Sequence, residues 1–567
     1  MFKGSLRRLV SRLPSNGVSW QRKFHIDANK EQELFSVTTT RWLYNDDQQR
    51  ALRYVPFNVQ AFVGVAVRSA GATECLSLEK IQDGTMNRVF SLTFDNGIEF
   101  IAKIPFSVAG PKYYRTASEV ATLDYLLTEH GIPVPQVRAW CSRAESTPVA
   151  VEYIMYEKIP GVPLQEFNAT TRPLENDPYV DILPIIQRIE SRLANTYFSQ
   201  IGSIFYQDDL PEPLRQRPLY APTIQPTANS ARFCIGPTVD REFWRAGRTQ
   251  LDIDRGPWPD THSYMFALAA CARAFVDAQP GGDSEAYHGL ISDFEKLVPH
   301  IAPPCAPKIL WHPDLHDSNI LVTEAERPCK LNGIVDWQGA TVAPYYLQLS
   351  VPPAYSADEH PLIDPEADGG PEFRDFDPRD LKPEEKRRLA VTFRRTCRQK
   401  LHEVQVRGAD PDLANELYGD LGLAKRLINS PVGAITRGRT EGLESIKCSF
   451  IECRTFWGAV VGVDENGQPL IPFPIEISDV EEDRVKKAWE SISQDATMCD
   501  DLLERLGVPP DSDGIVRANE YDAAKRAVED AKQAALSGAS TEEERDHIAK
   551  AWPLQDGKLS MTAESCC

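Results

Sequence analysis

The chain has 567 residues, a formal charge of −20 and a sequence isoelectric point near 5.1. Its length exceeds one ordinary domain, so two or more lobes are expected, and a hydrophobic content of 42% is enough for a packed core and excludes general disorder. The acidic balance argues against non-specific nucleic-acid binding, because a phosphate backbone would be repelled. No apolar run reaches the roughly 18 residues that a membrane span needs, so no membrane span is predicted.

Residues 1–26 oppose the acidic trend. They contain six basic residues and no acidic residue before Asp27, and their apolar residues fall near helical spacing opposite the arginines. Basic, acid-free and amphipathic N-termini are typical of mitochondrial transit peptides. We therefore expect a transit peptide over residues 1–26 and a mitochondrial location; the alternative is a basic tail without defined structure.

The cysteine pattern indicates a reducing compartment. Twelve cysteines are scattered along the chain without a C-x-x-C pair. This spacing favours structural thiols over a disulfide framework or a zinc site.

Residues 36–157 have the pattern of a small, strand-rich lobe with a leading helix. The apolar spacing of residues 41–67 predicts a largely helical segment, interrupted at Pro56. Strands are predicted at residues 75–78, 89–94, 99–104 and 150–156, with a helix at residues 111–130 that Gly131 ends.

Two charged residues of this lobe are candidates for nucleotide binding. Lys103 lies in a predicted strand, and Glu119 lies in the predicted helix that follows. In kinase-like enzymes a strand lysine contacts the α- and β-phosphates of ATP and a helix glutamate holds it by an ion pair. The alternatives are a strand-edge lysine and a solvated helix carboxylate.

The turn at residues 83–88 is a candidate phosphate-binding loop, although it contains a single glycine, Gly84. Gly84 permits close backbone approach only locally, so the side chain of Asn87 and the backbone N–H groups would have to contact the phosphates. Without other support this segment reads as a hairpin turn. After the last strand, the backbone of Glu157 and Ile159 would contact adenine.

Residues 158–475 read as a larger, mostly helical lobe. Helices are predicted at residues 179–201, 261–276, 284–298 and 382–406, with an irregular insertion at residues 205–259 and a surface loop at residues 360–380. Residues 476–567 form an acidic helical C-terminal extension, and their lysine-interleaved pattern predicts solvent-facing helices.

The strongest motif lies within the larger lobe. Residues 310–319 read Leu-Trp-His-Pro-Asp-Leu-His-Asp-Ser-Asn, and residues 333–337 read Gly-Ile-Val-Asp-Trp at the end of an apolar strand. Phosphoryl transfer needs a carboxylate that orients the attacking hydroxyl, and an amide oxygen and a second carboxylate that hold Mg²⁺. An isolated Asp or Asn is usually a turn former or helix cap, but this order between strands favours the kinase-like interpretation.

Together these segments resemble the aminoglycoside phosphotransferase family, which includes choline-kinase-like enzymes. They are more similar still to the fungal branch named for altered inheritance of mitochondria protein 9, over roughly residues 36–475. The segments that carry the resemblance are residues 41–45, 117–122, 131–135, 202–203, 235–237 and the motif at residues 310–319.

The resemblance implies an α+β, bilobal protein-kinase-like fold, with a small β-rich N-lobe and a large, mostly helical C-lobe. It implies ATP and Mg²⁺ as cofactors, Asp314 as the catalytic base, and Asn319 and Asp336 as the Mg²⁺ ligands. Lys103 and Glu119 would form the phosphate-binding pair, and His312 would support the loop. Pro313 stands where the antibiotic kinases more often have glycine, which puts details of this loop in doubt.

The expected function is ATP-dependent phosphoryl transfer to a hydroxyl of a small molecule whose identity the sequence does not reveal. The alternative is a catalytically weak or inactive pseudokinase that supports mitochondrial maintenance by binding nucleotide or a partner. A protein kinase is disfavoured, because Trp337 and Gln338 replace the Phe-Gly that follows the metal-binding aspartate in that group.

Overall fold

The computed structural model describes residues 26–167, 177–323, 328–505, 514–552 and 554–556. Apart from Ile26, the predicted transit peptide lies outside these residues. Within the described ranges, no helix is both long and apolar enough to cross a bilayer.

The N-terminal lobe is built on an antiparallel sheet. Its elements are α1 (Ala28–Phe35), β1 (Thr40–Trp42), α2 (Asp46–Leu52), α3 (Val59–Ala70), β2 (Cys75–Asp83), β3 (Asn87–Phe94), β4 (Glu99–Pro105), α4 (Tyr114–His130), β5 (Val137–Cys141) and β6 (Tyr153–Glu157). Among the described residues, five strands form the sheet, in the order β2-β3-β4-β6-β5. In β3 every second side chain is buried, because successive strand residues face opposite sides of a sheet.

Helix α4 packs beside this sheet and contacts both lobes. Its end at Gly131 was predicted and is confirmed: Gly131 has φ 62°, a conformation that glycine adopts without steric cost, and its N–H donates to carbonyl groups of the last helical turn. Tyr125 and Leu126 belong to the core of the larger lobe, whereas the core of the sheet is formed by α3 and the inward side chains of β3 and β4. Helix α4 thus lies against strands of the sheet while its buried C-terminal half belongs to the core of the larger lobe.

The larger lobe is mainly helical, with short strand pairs. Its elements are β7 (Val162–Pro163), α5 (Tyr179–Ala194), β8 (Ser203–Tyr206), β9 (Phe233–Gly236), α6 (Thr261–Ala278), α7 (Ser284–Ile301), β10 (Lys308–Leu310), β11 (Ile320–Thr323), β12 (Lys330–Ile334), β13 (Val342–Pro344), α8 (Tyr345–Gln348), β14 (Ile363–Asp364), β15 (Glu372–Phe373), α9 (Pro383–Ala409), α10 (Pro411–Tyr418), α11 (Asp420–Ile428), α12 (Ser430–Glu441), α13 (Leu443–Thr455) and α14 (Trp457–Val461). Strands β7, β11 and β12 pair antiparallel, and so do β10 and β13. These two small sheets position the loops at residues 311–319 and 335–341.

The C-terminal segment returns to the N-terminal lobe. Its elements are α15 (Asp479–Arg505), β16 (Ile515–Arg517), α16 (Tyr521–Gly538) and α17 (Glu542–Ala551). Strand β16 pairs antiparallel with β1, with Trp42 opposite Ile515. Trp552 and Leu554 pack with Leu43 in a separate small core.

Three sequence predictions differ from this fold. Arg41 and Trp42 were expected in a helix, but they lie in β1, because β16 supplies a partner strand from the far end of the chain. Strand β5 and helices α10 to α14 were not predicted. The solvent-facing prediction for the C-terminal helices holds for one face only, since Val485 in α15 and Val528 in α16 are buried.

Gly161, just before β7, lies very close to the backbone of β11. We therefore expect its substitution to destabilise the fold. It has φ 110°, and a Cβ there would overlap Val322 O and lie 2.7 Å from Asn332 Nδ2. Gly97, at φ 80° with open space around it, is the matched control. We expect Gly97→Ala to lower the free energy of unfolding by about 1–2 kcal/mol from backbone strain. Gly161→Ala should lower it by at least about 2 kcal/mol more, because overlap with backbone is added. Urea unfolding of both variants measures this, and equal losses would contradict the predicted overlap.

Candidate functional site

A buried lysine lies at the junction of the two lobes. Lys103, in β4, donates a hydrogen bond from Nζ to Glu119 Oε1 of α4 at 2.8 Å and to Asp336 Oδ1 at 3.0 Å. Lys103 and Glu119 are almost fully buried, whereas half of the Asp336 side chain is exposed. Three distant segments of the chain therefore meet at one ammonium group.

The charges in this cluster fix its protonation. Burial alone would lower the pKa of Lys103, but the carboxylates of Asp336 and Glu119 outweigh it, so its pKa is raised. Desolvation would raise the pKa of Asp336, but the Lys103 charge outweighs it, and its pKa is lowered. Both groups are therefore ionised at neutral pH.

Asp336 is held in an unusual backbone conformation. It follows β12 and Val335 and has φ 60°, a left-handed conformation that Asp and Asn adopt more readily than most residues. The Val335 N–H donates to Asn319 O at 2.9 Å, and the Trp337 ring is buried behind the loop. The side chain of Asp336 is thereby directed towards Lys103.

The loop at residues 311–319 lies beside Asp336. Asp314 is 64% exposed, and its Oδ2 is 3.5 Å from His316 Nε2. Asn319 is buried, and its Nδ2 donates to Asp314 O at 2.9 Å. The Asn319 side-chain amide thus holds the Asp314 backbone in place. The Asp314 carboxylate is exposed at the junction of the two lobes, which we call the cleft.

His312 joins this loop to the strand that leads to Asp336. Its Nδ1 accepts from the Asp314 N–H at 3.1 Å, and its Nε2 lies 3.0 Å from Val335 O. The ring can make both bonds only when it is neutral and carries its proton on Nε2. Burial lowers the pKa of His312 to about 4, which agrees with that form. His312 therefore holds the two loops together without carrying charge.

The turn at residues 83–88 is supported from behind by a buried ion pair. Arg88 Nε donates to Asp83 Oδ1 at 2.6 Å, and both residues are fully buried. Arg53 Nε donates to Thr85 O at 2.9 Å. The Gly84 N–H donates to Asn87 O at 2.9 Å, so this donor is already used within the turn. Asn87 Oδ1 is buried without a hydrogen-bond partner among the described residues.

The segment after β6 lies at the edge of the cleft. The Glu157 N–H donates to Gln136 O at 3.2 Å, and its carboxylate pairs with Arg138. Ile159 packs against Gly333 of β12, where a Cβ would overlap the Ile159 side chain. Gly333 thus allows this segment to lie close to the strand that precedes Asp336.

The candidate residues differ in how close to Lys103 they lie. Lys103, Glu119 and Asp336 are in direct contact, and Asp314 and Asn319 lie on the adjoining loop. Gly84 lies in the turn before β3, and Asn87 begins β3, where it pairs with Pro105, two residues along β4 from Lys103. Glu157 ends β6, and Ile159 lies between β6 and β7.

One residue near this site was missed in the sequence. Arg115 lies one helical turn before Glu119 on α4 and is buried. Burial lowers its pKa to about 9, against the opposing charges of Glu119 and Asp336. The four-residue spacing on a predicted helix was an available signal, since it places both side chains on one face.

Part of the chain matches a known protein family. Residues 236–351 match the phosphotransferase enzyme family, and this range contains the loop at residues 311–319 and Asp336. The resemblance predicted from the sequence is confirmed.

Similar curated proteins are fungal. A subtelomeric hrmA-associated cluster protein of Aspergillus fumigatus is 31% identical over 49% of this chain and 60% of its own length. The chain thus spans about three fifths of the length of this relative. Altered inheritance of mitochondria protein 9 from Saccharomyces cerevisiae is 24% identical over 80% of this chain and 83% of its own length.

Solved structures of small-molecule kinases also match. One is aminoglycoside phosphotransferase APH(4)-Ia in complex with ADP and hygromycin B, at 11% identity and a TM-score of 0.35, covering 71% of this chain and all of that chain. Another is the "putative fructosamine-3-kinase" from Thermobifida fusca, at 13% identity and a TM-score of 0.33, covering 70% of this chain and all of that chain. The family match and the order of the elements confirm the predicted bilobal, protein-kinase-like fold.

The neutral His312 ring should make stability depend on pH. Its folded pKa of about 4 lies below the ordinary value of 6.5, so the unfolded state binds the proton first on acidification. The contribution of neutral His312 to the free energy of unfolding is fully present above pH 6.5. About 2–3 kcal/mol of this contribution is lost as the pH falls to 4. His312→Gln keeps a donor and an acceptor without titrating. We expect the variant to be less stable at pH 7 in urea unfolding, with a difference from wild type that shrinks at pH 6 and 5; a constant difference would contradict this assignment.

Proposed function

We propose that the chain is an ATP- and Mg²⁺-dependent phosphotransferase that acts on a hydroxyl group of a small molecule in mitochondria. The observation that carries the proposal is the contact of Lys103 Nζ with both Glu119 and Asp336, beside a loop that presents Asp314. This set contains a cation for the phosphates, a carboxylate for the metal and a carboxylate for the acceptor.

Lys103 is the proposed contact for the α- and β-phosphates. Its ammonium is charged and held at a fixed position by Glu119, so little side-chain freedom is lost when a phosphate binds. The match to the phosphotransferase enzyme family supports a nucleotide as the phosphoryl donor. At the cleft edge, the Glu157 carbonyl and the Ile159 N–H are the proposed adenine contacts, because the Glu157 N–H is already bonded to Gln136 O.

The donor set at Asp336 and Asn319 fits Mg²⁺. Carboxylate and amide oxygens are ligands that Mg²⁺ prefers, and its sites in phosphotransferases use one or two protein groups together with substrate phosphates. The described residues contain no group of three or more acidic, histidine or cysteine side chains that would form an all-protein site. Asn319 uses Nδ2 for the Asp314 backbone, so its Oδ1 is the proposed ligand. When bound, Mg²⁺ would neutralise charge on the phosphates.

Asp314 is the proposed catalytic base. Its carboxylate is well exposed towards the cleft, while its backbone N–H and carbonyl are bonded to His312 and Asn319. A fixed backbone with an accessible carboxylate can orient an incoming hydroxyl and accept its proton. The segment after Asp336, which forms β13 and α8, is the proposed wall of the acceptor site.

A mitochondrial location is supported by two observations. The first 26 residues are basic and acid-free, and the relatives that cover most of this chain are named as mitochondrial proteins. Import of a fluorescent fusion of residues 1–26 into isolated mitochondria tests this part of the proposal.

A second candidate is a nucleotide-binding protein with little or no transfer activity. The observation that favours it is the turn at residues 83–88, where the Gly84 N–H is bonded to Asn87 O and is not free to contact phosphate. Mg-ATP binding without ADP release on any hydroxylated metabolite would support this candidate over the first.

Asp336→Asn should abolish Mg²⁺-dependent nucleotide binding, because it removes the negative charge at the proposed metal position and the charge that balances Lys103. A ligand that binds only the folded state raises the melting temperature. We expect ATP with Mg²⁺ to raise it in wild type and to have no Mg²⁺-dependent effect in the variant. Asp317→Asn, in the neighbouring turn, keeps an oxygen for the Tyr179 hydroxyl and is the matched control. An unchanged shift in Asp336→Asn would overturn the metal assignment.

Asp314→Asn should separate binding from transfer. The amide cannot accept a proton, so we expect ADP release with a panel of hydroxylated metabolites to fall roughly 100-fold or more. The affinity for Mg-ATP should stay within about twofold, since the carboxylate is not assigned to the nucleotide. Coupled ADP detection and calorimetry measure the two quantities, with Asp317→Asn again as the control. Full ADP release in Asp314→Asn would contradict its role as the base.

A further inference from the structure

A second cavity lies in the N-terminal lobe, outside the cleft. It has a volume of about 220 Å³ and is bordered by the end of β4, the start of α4 and the segment that leads to β6. None of its lining residues is Lys103, Glu119, Asp314, Asn319 or Asp336. Its apolar wall consists mainly of Val55, Pro105, Phe106, Ala144 and Val151.

A buried guanidinium faces this cavity. Arg115 is only 7% exposed, and its Nε and Nη1 have no hydrogen-bond partner in the described part of the chain. Gly110, which also lines the cavity, lies against this group: a Cβ at Gly110 would be 3.2 Å from Arg115 Nη1. A buried donor without a partner is costly, so an acceptor that reaches these Arg115 donors would be bound favourably.

The charged groups that line the cavity leave a net positive charge. Glu152 supplies one carboxylate, which accepts from the Tyr113 N–H at 3.0 Å and from Thr116 Oγ1 at 2.6 Å. Arg115 and the exposed Lys112 supply two cations. The cavity thus combines a buried guanidinium, a second cation, one carboxylate and an apolar wall.

We propose that this cavity binds a small organic anion, with a phosphate or carboxylate group on Arg115 and Lys112 and a short apolar body against Val55, Phe106 and Val151. Guanidinium groups bind such anions through paired, charge-assisted hydrogen bonds. The volume lies below the roughly 300–1,000 Å³ of pockets for drug-sized ligands, so the ligand is a small metabolite.

The site is connected to the cleft by one turn of α4. Arg115 and Glu119 are neighbours on the same face of the helix, and Glu119 holds Lys103. An anion on Arg115 fixes the first turn of α4, and with it the position of Glu119. This effect on nucleotide affinity rests on the proposed function, whereas anion binding itself does not.

Calorimetric titration of the full chain with phenyl phosphate tests the proposal, with inorganic phosphate and benzyl alcohol as partial probes. We expect phenyl phosphate to bind more tightly than phosphate, and benzyl alcohol not to bind. Arg115→Met should weaken phenyl phosphate roughly ten- to hundredfold, the loss expected for charge-assisted hydrogen bonds. Arg138→Met removes the same charge from the same lobe, at an exposed ion pair, and should leave the affinity unchanged.

A second variant keeps the test decisive if Arg115→Met does not fold. Ala144 is partly exposed and lines the cavity, so Ala144→Phe should fill it and abolish binding with all charges retained. Binding that survives Ala144→Phe, or that is lost only in Lys103→Met, would place the anion in the cleft and overturn the proposal. Absence of binding to wild type would overturn it as well. If Mg-ATP does not bind, the proposed phosphotransferase function is contradicted but the proposed anion site is not. The failures of the two proposals can therefore be distinguished.

Discussion

The arrangement of the whole molecule depends on one buried ammonium group. Lys103 lies in the sheet, Glu119 in the helix beside it, and Asp336 on a loop of the larger lobe. A buried lysine is expensive unless it is paired, and here both partners must be in place to offset the desolvation. The contact with Asp336 therefore couples the position of α4 to the position of one lobe against the other.

Two further devices stabilise the groups around Lys103 from outside the cleft. His312 bonds the loop of Asp314 to the strand that precedes Asp336, and it does so as a neutral group that leaves the charge balance unchanged. The buried pair of Asp83 and Arg88 holds the turn at residues 83–88. In both cases the backbone of a segment that would contact a ligand is held by a residue buried behind it.

The sequence predicts well what is locally encoded. Strand β3, helix α4 and its end at Gly131 follow from alternation, periodicity and a glycine in the left-handed conformation. The polar residues of the cleft, such as Asp314 and Asp336, could be proposed because their order between strands is itself a pattern. Their direct contacts could not, since the meeting of Lys103 with Asp336 depends on how two lobes pack.

What the sequence does not predict depends on partners far away in the chain. The residues of β1 have helical spacing, but they form a strand because β16 is available to pair, and such pairing outweighs local preference. Arg115 is a similar case. On a helical wheel it is one more basic residue, and only the burial of its guanidinium beside a cavity distinguishes it from a solvated one.

The pairing of β1 with β16 also sets an order of events during synthesis. Residues 40–42 wait for a partner strand that is synthesised more than 470 residues later (515 − 42 = 473). At roughly 5–20 residues per second, the edge formed by Thr40–Trp42 stays open for about half a minute or longer. An unpaired strand edge invites association with other chains. A nascent chain of this protein thus carries an exposed strand edge until β16 has been synthesised, and a chaperone that covers this edge would protect the lobe that holds Lys103.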